Sequence, residues 1–122
     1  MTTQDELLDR LFAGISAADV DAVAQLYADD VEVWNNYSRR TFQRDASLAV
    51  LRDFLARTDG VRYEVLERRH WENGSMQRHI LHVRVNDSEH AIDVCMTFIF
   101  AGGRIRSVFE YVDGRALSPL GW

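Results

Sequence analysis

At 122 residues, 47% hydrophobic and 27% charged with a single proline, the chain has the length of one ordinary domain (residues 1–122) and a globular rather than disordered composition. A net charge of -5, with Arg39-Arg40 and Arg44 as the nearest approach to a basic patch, argues against a nucleic-acid partner, because such binding draws its affinity from phosphate neutralisation. The one cysteine, Cys95, rules out an internal disulfide and any multi-cysteine metal site, and reads as a small apolar side chain.

The N-terminal MTTQDELLDRL is acidic and amphipathic where a secretory signal is basic and then uniformly apolar, and no stretch approaches membrane-spanning length. A cytoplasmic protein with no membrane partner is expected. Thr3 followed by Glu6 predicts a capped first helix, with Leu7, Leu8, Leu11, Phe12 and Ile15 at helical spacing. A second helix starts at Asp19, carries Val20, Val23, Leu26 and Tyr27, and stops at Asp29-Asp30. Residues 31–36 are β-branched and aromatic, hence a strand, with Val31, Val33 and Asn35 on one face and Glu32, Trp34 and Asn36 on the other. A third helix, capped at Asp45 or Ser47, carries Leu48, Leu51, Phe54 and Leu55 and ends at Thr58-Asp59-Gly60.

The rest of the chain reads as strand. Val61, Tyr63 and Val65 alternate with Arg62 and Glu64, and Asn73-Gly74 turns the chain into a strand over residues 76–85. That strand puts His79, Leu81, Val83 and Val85 on one face and Arg78, Ile80, His82 and Arg84 on the other. Asn86-Asp87-Ser88 then leads into a long hairpin joined at Ala101-Gly102-Gly103. Its first strand sets Ile92, Val94, Met96, Phe98 and Phe100 against Asp93, Cys95, Thr97 and Ile99; its second sets Ile105, Phe109 and Tyr111 against Arg106, Val108, Glu110 and Val112. Glu110 is thus a carboxylate at mid-strand among apolar neighbours. Three helices and a curved antiparallel sheet make an α+β pattern. Three short helices cannot cover both faces of so apolar a hairpin, so with the C-terminal Leu117-Ser118-Pro119-Leu120-Gly121-Trp122 a homodimer is expected.

This order of elements, with YADDVEVWNN after the second helix and FAGGRIRSVFEYVD near the end, resembles the nuclear transport factor 2-like superfamily and its SnoaL-like branch. The resemblance covers essentially the whole chain and implies a conical α+β barrel, a strongly curved sheet wrapped around three N-terminal helices, with a deep apolar pocket. It specifies fold well and reaction poorly. In the ketosteroid isomerases of this superfamily the general-base aspartate, the oxyanion-hole tyrosine and the protonated aspartate match Asn35, Leu11 and Met96, so that mechanism is not implied. In limonene-epoxide hydrolase the last-strand aspartate matches Glu110 and the pocket asparagine Asn35. The second aspartate and its arginine match His79 and Gln77, so an Asp-Arg-Asp triad has become His-Gln-Glu.

The site read from these residues is a pocket lined by Val33, Asn35, His79, Leu81, Met96, Val108 and Glu110, binding a small, largely apolar organic molecule. The leading function is cofactor-independent acid/base chemistry by a lyase, isomerase or cyclase. His79 is the base, Glu110 orients it, and Asn35 or Gln77 polarises a substrate oxygen. The alternatives are a non-catalytic binder of a hydrophobic ligand, an epoxide hydrolase-like activity, or a dimeric interaction module. Residue by residue, the blander readings are a core histidine at 79 bonded to a backbone carbonyl, a Glu110–Arg106 ion pair and a satisfied buried amide at Asn35. Asp93 reads as an interface or structural ion-pair residue; Trp34, Tyr63, Trp71, Phe98 and Phe109 read as packing. Tyr37 is placed at the mouth. His70, His82 and His90 offer no two-histidine-plus-carboxylate spacing and the chain has no glycine-rich phosphate loop, so neither metal nor cofactor is expected.

Overall fold

The structure, a computed structural model, describes residues 2–121. In chain order the elements are α1 (Gln4–Ser16), α2 (Val20–Leu26), β1 (Tyr27–Asn35), β2 (Thr41–Gln43), α3 (Arg44–Ala56), β3 (Gly60–Trp71), β4 (Gly74–Val85), β5 (Ser88–Ala101), β6 (Arg104–Val112), α4 (Gly114–Leu117) and a 3-10 turn at Ser118–Leu120. The strands form one sheet in the order β2-β1-β6-β5-β4-β3, open at both ends. Every neighbouring pair is antiparallel except β1 and β6, which run parallel. The α+β expectation holds: a curved sheet packs one face against the three N-terminal helices. The core joins Leu8, Leu11 and Val23 of the helices to Val83, Ile92, Phe98 and Ile105 of the sheet.

Local chemistry sets the boundaries. Thr3 caps α1 by accepting a hydrogen bond from the Glu6 N–H at 3.1 Å, and Asp19 caps α2 through the Ala22 N–H at 3.1 Å. The second helix ends sooner than its apolar spacing predicts. Tyr27 opens β1 and carries the inward face of that strand, alongside Val31 and Asn35. β2 is too short to leave a periodic signal, and α3 follows it directly, with Gln43 at the N-cap position in place of Asp45 or Ser47 and no side-chain cap bond. Asn73, at φ 59°, supplies the positive φ of the β3–β4 turn, while Gly74 already belongs to β4. Gly74 is needed for closeness rather than for its φ: a Cβ there would lie 2.1 Å from the Trp71 indole nitrogen.

One bulge changes which residues point inward. Ile99 pairs with Ser107 but Phe100 pairs with Ile105, so Arg106 is an extra residue in β6. The strict alternation expected of β6 therefore fails at its start. Ile105 is fully buried on the inner face together with Val108 and Val112, while Phe109 and Tyr111 face outward. Arg106 points away from the core to Asp30 (3.1 Å) and Glu32 (3.4 Å), not to Glu110. The Asn86-Asp87 turn holds the register read from the sequence, with Val85 opposite Ser88. His79 therefore faces inward and His82 outward, where it meets Glu64 and Glu89. Asp93 is exposed and makes no ion pair among the described residues; its backbone oxygen accepts from the Asp113 N–H.

The C-terminal turn folds back on the molecule, burying Leu117 and packing Leu120 against the core, while Trp122 lies outside the described residues. What stays uncovered is the outer sheet face. There Trp34 stacks obliquely on Tyr111 (5.1 Å between ring centres) and Phe109 (6.4 Å). Tyr111, Ile99 and Phe109 remain 52%, 45% and 38% exposed. A contiguous apolar patch of this kind marks an association surface, and we propose a second copy as its partner. Sedimentation at micromolar concentration is expected to give dimers, and Phe109→Lys with Tyr111→Lys to give monomers; a monomeric parent protein would contradict the proposal.

Candidate functional site

Between the helices and the inner sheet face lies a cavity of about 360 Å³, the size that encloses a small organic molecule. Strand register decides what faces it. Asn35 on β1 pairs with Glu110 on β6, Glu110 with Met96 on β5, and Met96 with Gln77 on β4, so the four lie in one row across the sheet. Val33, Asn35, Leu81, Met96, Val108 and Glu110 line the cavity as expected. The sequence did not point to the aromatic wall opposite them: Phe12 from α1, Tyr27 from the start of β1, Phe42 from β2 and Phe54 from α3. Tyr37 sits at the mouth, half exposed, and Leu117 and Gly121 close the same end.

Glu110 is the ionisable group inside this enclosure. Among the described residues nothing hydrogen-bonds its carboxyl and no cation compensates it, so burial alone pushes its pKa up to about 7. Three phenols surround it. Burial, and then the Glu110 charge, raises Tyr27 and Tyr63 above the ordinary phenol range, with Tyr27 adding to the effect on Tyr63. Tyr37 is pushed up to about 12 by the same two causes. All three are therefore neutral hydrogen-bond donors at any physiological pH. Asn35 is buried and splits its functions: Oδ1 accepts from the Ser38 N–H (2.9 Å) and Oγ–H (2.6 Å), tying down the turn after β1, while Nδ2 has no partner among the described residues. It is half the satisfied amide and half a free donor.

His79 and Gln77 are placed differently from the expectation. Both face inward and are fully buried, yet neither lines the cavity. The His79 ring lies behind Phe12 and Tyr63, 5.3 and 5.0 Å from their ring centres. It contacts Gln77, not Glu110. Two strand spacings and two residues along the strand separate His79 from Glu110, roughly 12 Å between backbones, and Met96 intervenes. The expected dyad is not formed.

What holds His79 is a chain of hydrogen bonds from the first helix. Asp5 and Asp9 accept from Arg68 Nη1 at 2.8 and 2.7 Å, and Arg68 Nε donates to Gln77 Oε1 at 2.8 Å. Burial works against the Arg68 charge, but the two carboxylates outweigh it and its pKa is raised. With Oε1 committed to Arg68, the Gln77 amide must turn Nε2 toward His79 Nδ1, 2.8 Å away. Nδ1 is then an acceptor and the proton sits on Nε2, a buried N–H with no partner among the described residues. Burial pushes the His79 pKa down to about 4, and the Arg68 charge adds to the shift. A ring with one lone pair engaged and the other nitrogen protonated has nothing left with which to take a proton. Since the folded-state pKa lies below the unfolded value of 6.5, stability should be full above pH 6.5 and fall as pH drops toward 4. Urea denaturation of His79→Leu is expected to lose that fall between pH 6.5 and 4; an unchanged pH slope would show that His79 is not buried neutral.

Among the described residues no three metal-ligating side chains converge, and no helix is long and apolar enough to cross a membrane. No curated protein sequence matches the chain. Solved structures match its fold closely at low identity. IdmH of Streptomyces antibioticus, for which a polyketide cyclase role has been put forward, is 14% identical with a TM-score of 0.85, covering 98% of this chain and 100% of its own. An LEH-like epoxide hydrolase of M. tuberculosis is 16% identical with a TM-score of 0.77, covering 93% and 84%. A hypothetical protein of Catenulispora acidiphila with a ketosteroid isomerase-like fold, solved in complex with trimethylamine, is 14% identical with a TM-score of 0.79, covering 89% and 86%. The SnoaL-like domain model matches residues 8–108, and the chain belongs to that family.

Proposed function

We propose that the protein is a cofactor-independent acid/base enzyme of the isomerase, lyase or cyclase type, acting on a small, mostly apolar organic molecule in the cavity, with Glu110 as the proton-transferring residue. The observation that carries this reading is the Glu110 carboxyl, facing a largely apolar cavity with no hydrogen-bond or ion-pair partner among the described residues, where burial pushes its pKa up to about 7. As base, the carboxylate would take a proton from a carbon next to a substrate carbonyl, and the C–H electron pair would pass into an enolate. The resulting Glu110 acid would return the proton to another carbon, or the enolate would close a ring by adding to a second carbonyl carbon of the substrate, whose C=O π bond opens to an alkoxide that takes the proton from Glu110. The phenol hydroxyls of Tyr27 and Tyr63 and the Asn35 Nδ2–H are the donors available for the developing oxyanion.

His79 and Gln77 have no part in this scheme, because both are spent on one another and on Arg68. For the same reason a relay of the epoxide hydrolase kind has no link from Gln77 and His79 to Glu110. The scaffold shared with IdmH and with the trimethylamine-bound neighbour supports a small organic ligand without naming it. An open cavity favours an enzyme or a binder over an interaction module whose cone is filled by side chains. Proton transfer separates the first two.

The test is α-proton exchange of a cyclic ketone such as 2-tetralone in D2O, followed by NMR. The wild type is expected to accelerate exchange, with a rate that rises with pH through about 7 and then levels as Glu110 ionises. Glu110→Gln should lose at least ~100-fold of that rate. Exchange equal in wild type and variant would leave binding as the function. Stability should move the other way. The folded-state pKa lies above the ordinary value of 4.5, so the native state is penalised as pH rises from 4.5 through 7. Above pH 7, urea denaturation of Glu110→Gln is expected to show a gain of about 1–3 kcal/mol, the typical cost of a buried unpaired polar group, and the gain should vanish near pH 4.5.

A further inference from the structure

Three charged side chains line the cavity: Glu110, Asp53 and Arg57. Asp53 on α3 and Arg57 at the C-cap of that helix, one turn apart, form an ion pair with each other, with Arg57 donating from both Nε and Nη2. The two cancel at the wall. The charge left over inside is the negative one on Glu110, and the phenols around it, Tyr27 from β1, Tyr37 from the following loop and Tyr63 from β3, stay neutral. The cations and histidine nearest on the other side, Arg68 and His79, lie behind Phe12 and Tyr63 and are held by Asp5, Asp9 and Gln77. The enclosure is therefore electrically one-sided.

It also carries an aromatic wall facing the sheet. Phe12, Tyr27, Tyr37, Phe42, Phe54 and Tyr63 come from six different parts of the chain and all line the same space. Aromatic faces carry negative quadrupole charge and attract organic cations, the more so where water is excluded. A desolvated carboxylate that no cation among the described residues compensates asks for the same thing. A neutral apolar ligand displaces water without compensating that group, and an anionic ligand makes it worse. A ligand with a positive nitrogen stabilises the ionised form of Glu110 and contacts the rings at the same time.

We propose that the cavity selects organic cations, small molecules in which a protonated or quaternary nitrogen is carried on an apolar body. The inference rests on the reading of the cavity as the ligand site, and it does not require Glu110 to move a proton.

Choline and its uncharged carbon isostere 3,3-dimethylbutan-1-ol differ in charge and hardly in shape, so the pair isolates the effect. In NMR titrations of the full chain at pH 8, choline is expected to bind at least ~10-fold tighter than the isostere. In Glu110→Gln, the ratio of choline to isostere affinity should fall to the smaller preference that the aromatic faces supply. Saturating choline should also lower the Glu110 carboxyl pKa from about 7, read from its 13C shift, where the isostere leaves it unchanged. Equal or tighter binding of the isostere overturns the selection for cations and leaves the acid/base reading standing. A preference for choline that is undiminished in Glu110→Gln overturns the role given to the carboxylate. Failure of both probes to bind at the cavity overturns this inference and the reading of the cavity beneath it.

Discussion

The interior of this protein depends on the register of the β5–β6 hairpin. It sets Met96 beside Glu110, and through β4 and β1 it extends that row to Gln77 and Asn35. Because side chains alternate, a slip of one residue would turn Glu110 out to solvent and bring Phe109 and Tyr111 in. The Arg106 bulge lets one strand bury Ile105 at its start and still present Glu110 to the cavity. It also frees Arg106 for the exposed acids Asp30 and Glu32, so the nearest arginine in sequence is withheld from the Glu110 carboxyl.

Two inward-facing ionisable groups, His79 and Glu110, meet opposite treatment. His79 is held at one nitrogen: a neutral tautomer fixed by Gln77, itself fixed by Arg68, itself fixed by two aspartates at the surface. That end of the inner face is polar but organised, and it docks α1 on the sheet. Glu110 has nothing comparable. Leaving a carboxyl desolvated and unpaired costs folding free energy that a simple substitution would recover, and such costs are characteristic of binding and catalytic positions. The contrast is the reason for assigning chemistry to Glu110 and structure to His79.

Most of the fold was legible in the sequence because its long elements carry strong periodicity. The inward faces of α1, β4 and β5 read directly from Leu7 to Ile15, from His79 to Val83 and from Ile92 to Phe100. The misreadings share a cause, which is that local pattern cannot see tertiary geometry. Tyr27 fits the spacing of α2 and the face of β1 equally well, and sheet pairing with β6 decided it. Ile105 obeys alternation only once the bulge is known. At the site, the identity and inward direction of Glu110 and His79 were accessible, but their separation was not, because it depends on how many strands lie between them. Gln77, expected to meet substrate, is instead captured by Arg68, a residue whose partners lie on an element some sixty positions away. The aromatic wall comes from single residues scattered over six segments, so no motif announces it.

The parallel pairing of β1 with β6 has a consequence for how the molecule assembles. Asn35 finds Glu110 across roughly 75 residues of chain, so the sheet cannot take its final order until the last strand is available. At synthesis rates of about 5–20 residues per second, β1 would wait about 4–15 s for its partner after leaving the ribosome. During that interval Val31, Val33 and Trp34 belong to a strand paired on one edge by the three residues of β2 alone. Closure of the cavity and completion of the sheet are then the same late event, and Glu110 enters its apolar surroundings at the step that joins β1 to β6.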